Sequence, residues 1–180
     1  YFWRDSNYYA PHNLFGRVEN IRAIAEKRGW SEGSLEPRFI FGAVPLVQES
    51  QKADQFEIDF STPQFGVTYE YQPEERVYLR YQADQMHRDV DGQIAPANVI
   101  VQFTSLYPYD GEGRMKVVTE GENKAYLFRD GLFYDGYWRK SAVDQYTGFY
   151  FSDGQPFVLK PGQVWIEVLA DEQQMKTFDA

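Results

Sequence analysis

Val67-Thr68-Tyr69-Glu70-Tyr71-Gln72, Pro73-Glu74-Glu75 and Val77-Tyr78-Leu79-Arg80-Tyr81-Gln82 are two alternating runs on either side of a turn. Successive side chains of a strand point to opposite faces, so alternation with a period of two marks a half-buried strand. Pro73 and two acidic residues turn the chain back. Val77, Leu79 and Tyr81 alternate with Tyr78, Arg80 and Gln82, which predicts a hairpin with one apolar and one polar face. Upstream, Phe56-Glu57-Ile58-Asp59-Phe60-Ser61 alternates in the same way, and Arg38 to Val44, ended by Pro45, reads as the first strand.

Downstream, five Asp-Gly pairs fall within 64 residues: Asp91-Gly92, Asp110-Gly111, Asp130-Gly131, Asp135-Gly136 and Asp153-Gly154. Asp-Gly tolerates the positive φ of a tight hairpin turn, so this half reads as an antiparallel meander. Asn98 to Tyr107 is more apolar than its neighbours and suits a strand buried on both faces. Arg114–Thr119, Asn123–Arg129, Leu132–Arg139 and Val164–Leu169 complete the strands, with 141–162 irregular. Near the N-terminus, Leu14, Val18, Ile21, Ile24 and Ala25 share one helical face, capped by Asn13 and stopped by Gly29, which predicts a helix over about 13–28. The expected fold is α+β: a mainly antiparallel β-sheet with one amphipathic helix near the N-terminus packed against it. The expected organisation is 1–37 as the end of an N-terminal domain plus a turn-rich linker (31–37), 38–170 as a β-rich C-terminal domain, and 171–180 as a polar tail, a short helix or frayed.

Composition narrows the function. The 180 residues suit one domain, or one and a fragment of another. Net charge is −9 with no cluster of four or more Lys or Arg, which excludes nucleic acid and anionic membrane as main partners. No Cys is present, so disulfides, thiolate metal sites and cysteine nucleophiles are absent together, while the compartment stays open. No apolar run approaches the roughly 20 residues of a membrane span. The chain opens on Tyr1 in mid-pattern, which reads as a processed or excised piece of a longer protein.

Catalytic and metal signatures are sparse. Only His12 and His87 are available to a Ser-His-Asp site, and neither a Gly-x-Ser-x-Gly elbow nor a His-Glu-x-x-His pair occurs. His87-Arg88-Asp89-Val90-Asp91-Gly92 lacks the acids a calcium loop needs and reads as an Asp-Gly turn. No cofactor and no metal is expected. Two clusters carry binding chemistry. Arg4-Asp5 with Pro11-His12-Asn13 stands before the helix start, where a His and an amide either anchor a ligand or cap the helix. Trp138-Arg139-Lys140 with Phe128-Arg129-Asp130-Gly131 puts a Trp beside cations. It suits a sugar or carboxylate, or else a core ring with solvated charges.

Asn98-Val99-Ile100-Val101-Gln102-Phe103, Phe128-Arg129-Asp130-Gly131, Trp138 with Lys140, and Pro161-Gly162-Gln163 leading into Trp165-Ile166-Glu167-Val168 resemble the C-terminal domain of the YerB-like family, bacterial lipoproteins of undefined function. Arg4-Asp5 and Pro11-His12-Asn13 resemble the close of that family's N-terminal domain. The resemblance covers about residues 1–169 and departs from the family at Val164 and at Gln145-Tyr146-Thr147-Gly148. It implies the later part of a two-domain envelope protein, outside the cytoplasmic membrane and tethered by a lipid on a segment absent from this chain. It carries no established activity. The leading expectation is a non-catalytic domain that binds cell-wall glycan or an envelope protein. Trp138 is then the stacking surface, Lys140 and Arg129 the anion donors, and His12 with Asn13 the polar anchor beside Arg4 and Asp5. The alternative is a cell-wall hydrolase or transferase using His12 or a carboxylate pair. A third is structural support for another domain.

Overall fold

The structure is a computed structural model that describes residues 1–30, 38–45 and 48–178. The chain divides into two compact units, Tyr1–Pro37 and Arg38–Ala180. The linker expected over 31–37 lies outside the described residues.

In the first unit, strand β1 (Phe2–Arg4) pairs antiparallel with β2 (Leu14–Gly16), and helix α1 (Val18–Lys27) follows. The helix therefore starts later than its periodicity predicts. Leu14 to Gly16 are taken by the strand pair, in which a Cβ on Gly16 would stand 2.7 Å from the Phe2 ring. Arg17, extended and making no side-chain cap, occupies the N-cap position expected of Asn13. Gly29 takes φ +68° and ends the helix, with the Trp30 N–H donating to Ala25 O at 2.7 Å. No residue of α1 is buried.

The second unit runs through β3 (Ile40–Phe41), β4 (Gln51–Lys52), β5 (Gln55–Ile58), β6 (Val67–Gln72), β7 (Val77–Gln82), β8 (Gln85–Met86), β9 (Arg88–Asp89) and β10 (Gly92–Gln93). It continues through β11 (Asn98–Phe103), β12 (Leu106–Pro108), β13 (Met115–Val117), β14 (Gly121–Arg129), β15 (Leu132–Lys140), β16 (Gly148–Phe151), β17 (Val158–Leu159), β18 (Val164–Leu169) and β19 (Met175–Phe178). Two large sheets result, ordered β19-β5-β6-β7-β8 and β16-β15-β14-β11-β18, with β4 pairing β15 in the second. Antiparallel pairing dominates. The second sheet is nevertheless mixed, because β18 runs parallel to β11, and β17 runs parallel to β3. β16 and β17 fall inside the stretch expected to be irregular.

Phe56, Ile58, Val67, Tyr69 and Tyr78 of the first sheet meet Val99, Val101, Phe103, Phe128 and Leu169 of the second in one core between the two. Rings stack there, with Phe56 and Phe128 centroids 3.8 Å apart. The opposite face of the second sheet carries another core of Ile100, Leu127, Tyr134 and Trp138, closed by Phe149, Phe151, Phe157 and Leu159. β11 contributes to both cores and is buried on both faces, as its apolar run predicts.

The Asp-Gly pairs divide by role. Asp130-Gly131 joins β14 to β15 as a two-residue turn with both φ values positive, +56° and +72°. Asp135-Gly136 is no turn. Gly136 lies inside β15, where a Cβ would stand 2.7 Å from the Phe157 ring, so the glycine admits a close approach rather than a reversal. The stretch expected to be a polar tail, a short helix or frayed, holds among its described residues a 3-10 turn (Glu172–Gln174) and β19, which pairs with β5.

Candidate functional site

Arg4, Asp5 and Asn13 come together in the β1–β2 hairpin. Arg4 Nη1 donates to Asn13 Oδ1 at 2.5 Å, and the Asp5 N–H donates to Asn13 O at 2.9 Å. Asp5 Oδ1 accepts from the Asn7 N–H at 2.9 Å. His12 is exposed in the same loop. β2 stands between these residues and α1, so they do not form the helix-start site expected of them.

The second expected cluster is dispersed. Trp138 is 1% exposed and its indole N–H donates to Phe103 O at 2.6 Å, so the ring is core and not a stacking surface. Arg129 is 4% exposed. Its Nη1 donates to Gly42 O and Val158 O at 3.0 and 2.8 Å, and its Nε and Nη2 to Asp130 Oδ2 at 3.0 and 2.9 Å. Its donors are consumed inside the fold, which removes it as an anion donor. Lys140 is half-buried at the far end of the same hairpin, opposite Gly121. Arg129 therefore lies roughly 20 Å from Trp138 and roughly 26 Å from Lys140 along the strand pair.

The alternation that buries Trp138 turns its neighbours outward. Tyr137 on β15 pairs with Tyr150 on β16, their half-buried rings stacked at 5.2 Å with planes 22° apart. The Arg139 guanidinium lies 5.4 Å from the Tyr137 ring and 5.9 Å from that of Tyr150, and its Nε donates to Glu122 Oε2 at 2.6 Å. Gly148 makes this ledge possible. A Cβ there would stand 2.7 and 2.8 Å from Cε2 and Cζ of Tyr150, so the ring lies down along β16 only over a glycine. Beyond the ledge, a cleft of about 620 Å³ opens between the chain at 48–51 and β15–β16, with Asp135, Ser152 and Asp153 on its wall. The N–H of Gln155 and the side chain of Gln48 hold the Asp153 carboxyl below the usual carboxylate range.

A buried polar network lies between the sheets. Arg80 on β7 and Glu167 on β18 are 5% and 7% exposed, with Arg80 Nη2 3.1 Å from Glu167 Oε1. Tyr69, the cross-strand partner of Arg80, donates its hydroxyl to Glu167 Oε1 at 2.7 Å and accepts from Arg80 Nε at 3.0 Å. Burial and the Glu167 charge raise the Tyr69 pKa, which keeps that hydroxyl a donor. Arg80 also donates Nη1 to His87 Nδ1 and lies 4.8 Å from the Trp165 ring. Burial and the Arg80 charge lower the His87 pKa, so the imidazole stays neutral and accepts. Neither Arg80 nor Glu167 stands out by motif; their signal is one charge of each sign in otherwise apolar strands.

The family described as "Protein of unknown function (DUF3048) C-terminal domain" matches residues 56–166. Among curated proteins, the chain is 23% identical over 176 residues to "Putative lipoprotein YerB" of Bacillus subtilis (strain 168), covering 94% of this chain and 51% of that protein. Among solved structures, the crystal structure of the YerB protein from Bacillus subtilis superposes with a TM-score of 0.77 at 22% identity, over 99% of this chain and 59% of that one. The chain thus spans about half the length of the curated relative it matches. Among the described residues, no helix is long and apolar enough to cross a membrane.

Proposed function

This chain belongs to the DUF3048 C-terminal domain family, and on that footing we propose that it is a non-catalytic binding domain of a bacterial envelope lipoprotein, held outside the cytoplasmic membrane and contacting cell-wall glycan. The relative's name supports the location. The observation that carries the contact is the Tyr137–Tyr150 pair: two adjacent rings on a rigid sheet, one kept flat by a glycine, with a guanidinium at their edge. Aromatic rings offer the C–H faces of sugars a large contact at small entropic cost, and strands hold such a platform better than loops.

Co-sedimentation with intact cell-wall sacculi across a salt series tests this. Saturable pelleting that survives high salt and is lost in Tyr137→Ala and Tyr150→Ala is expected. An unchanged pellet in both variants, or none in the wild type, sinks the glycan reading. A protein partner is then favoured by the β12–β13 hairpin, whose Tyr107, Tyr109, Met115 and Val117 are all exposed.

A further inference from the structure

The Tyr137–Tyr150 ledge and the cleft beside it share one face of the sheet. Asp135 and Tyr137 are two apart on β15, and Tyr150 and Ser152 are two apart across the end of β16, so each pair projects the same way about 7 Å apart. The Ser152 hydroxyl donates to Asp135 O at 3.3 Å, which ties the two strands at the cleft's mouth. Tyr137 leans toward it: its hydroxyl lies 3.7 Å from where a Cβ on Gly154 would stand, next to Asp153.

The cleft's own charges decide what can lie there. Glu49, Asp135 and Asp153 line it, and among the described residues no Lys or Arg does. Of the two glutamines that line it, Gln48 spends its Nε2 on Asp153 Oδ2 at 2.7 Å, and Gln51 offers only a neutral amide. The nearest cations on the ledge are engaged as well, Arg139 with Glu122 and Lys124 with Glu172 at 2.7 Å. A phosphodiester or uronate chain would bring like charge against three carboxylates. Sugar hydroxyls are donors, and a carboxylate takes their charge-assisted hydrogen bonds. A volume of about 620 Å³ is within the range of small-ligand sites.

We propose that ledge and cleft form one subsite for an uncharged polysaccharide segment, one sugar ring on Tyr137 and Tyr150 and its neighbour's hydroxyls donating to Asp135 and Asp153. This rests on the glycan reading above and narrows it: the ligand is the sugar backbone of the wall, not an anionic wall polymer.

The test is calorimetric titration of the full chain with uncharged N-acetylglucosamine oligomers and, in parallel, with polyglycerol phosphate. Binding of the oligomers alone is expected, weakened at least tenfold in Tyr137→Ala and several-fold in Asp135→Asn. Gly148→Ala, which lifts the Tyr150 ring without removing it, should weaken binding while the near-ultraviolet dichroism of the core persists. Binding of polyglycerol phosphate, or oligomer binding indifferent to all three substitutions, overturns the proposal. So does an absence of oligomer binding. If sacculi still pellet with the wild type in that case, only the ligand assignment falls. If they do not, the glycan reading falls with it.

Discussion

Arg80 and Glu167 place two opposite charges between aromatic layers, and the cost of moving them there is offset only while both are present. Removing one leaves the other stranded. Arg80→Met is therefore expected to cost about 3–5 kcal/mol in urea unfolding, whereas Arg80→Met combined with Glu167→Leu should recover most of that loss. His87 adds a pH dependence, set by the groups facing it: Arg80, Glu167, Asp89 and the Trp165 edge. Its folded-state pKa lies below the 6.5 of a free imidazole, so the unfolded chain takes the proton first. Its contribution is full above pH 6.5 and is lost as pH falls through the folded-state value; unfolding midpoints measured against pH should show this slope, and His87→Gln should flatten it. Trp138→Ala should cost about 3–5 kcal/mol of stability as a core truncation. At this scale the sequence misleads in an instructive way. Val77, Leu79 and Tyr81 look like the buried face of β7, yet Tyr78 and Arg80 are the buried ones. Residues 73–76 form the loop, which pairs Tyr71 with Tyr78 and Tyr69 with Arg80, and cross-strand partners share a face. Counting Arg76 in the loop fixes that phase. Hydrophobicity points the other way because a buried Arg reads as polar.

At the element scale, β19 shows why polar stretches are hard to read. The segment from Asp171 has no apolar periodicity, and besides its pairing with β5 and the Lys124–Glu172 contact it is tied down by the side chain of Gln174. Gln174 Oε1 accepts from the Ala170 and Asp171 N–H groups at 2.9 and 3.1 Å, and its Nε2 donates to Asp59 O and Phe60 O at 3.0 and 3.3 Å. Gln174→Ala should cost about 1–3 kcal/mol and raise hydrogen exchange in β19 and β5 ahead of the rest of the sheet. By contrast β6, β7 and β18 are legible to the residue, because alternation or an apolar run is flanked by turn residues. β16 is hidden by Gly148 and by the nearby Pro156, although Gly148 is the residue on which the ledge depends. The ledge lies one residue to either side of Trp138: the large ring suggests a surface, while the period of two buries it and assigns the outer face to Tyr137 and Arg139.

Across the whole molecule, burial is uneven. Every buried residue among those described lies in the second unit, and a helix as short as α1 with no buried face is marginal by itself. Hydrogen exchange followed by mass spectrometry should find the α1 amides opening at low free energy, and those of β11 and β14 only with global unfolding. Uniform protection across both would overturn this division. The β-dominated class and the family were readable because many short local signals agreed in order. The mixed pairing was not, since a parallel neighbour such as β18 for β11 is set by contacts more than 60 residues apart.

That pairing also sets the order in which the fold can be finished. β11, β14 and β15 pair antiparallel in turn, β14 and β15 through a two-residue turn and β11 and β14 across the β12–β13 hairpin, so they can assemble as they leave the ribosome. The outer strand beyond β11 and the outer strand beyond β5 are both made after residue 163, one for each sheet. Until then Arg80 has no carboxylate to meet and the layer between the sheets lacks a wall. Synthesis therefore delivers an open nascent chain that closes on both sides at nearly the same moment.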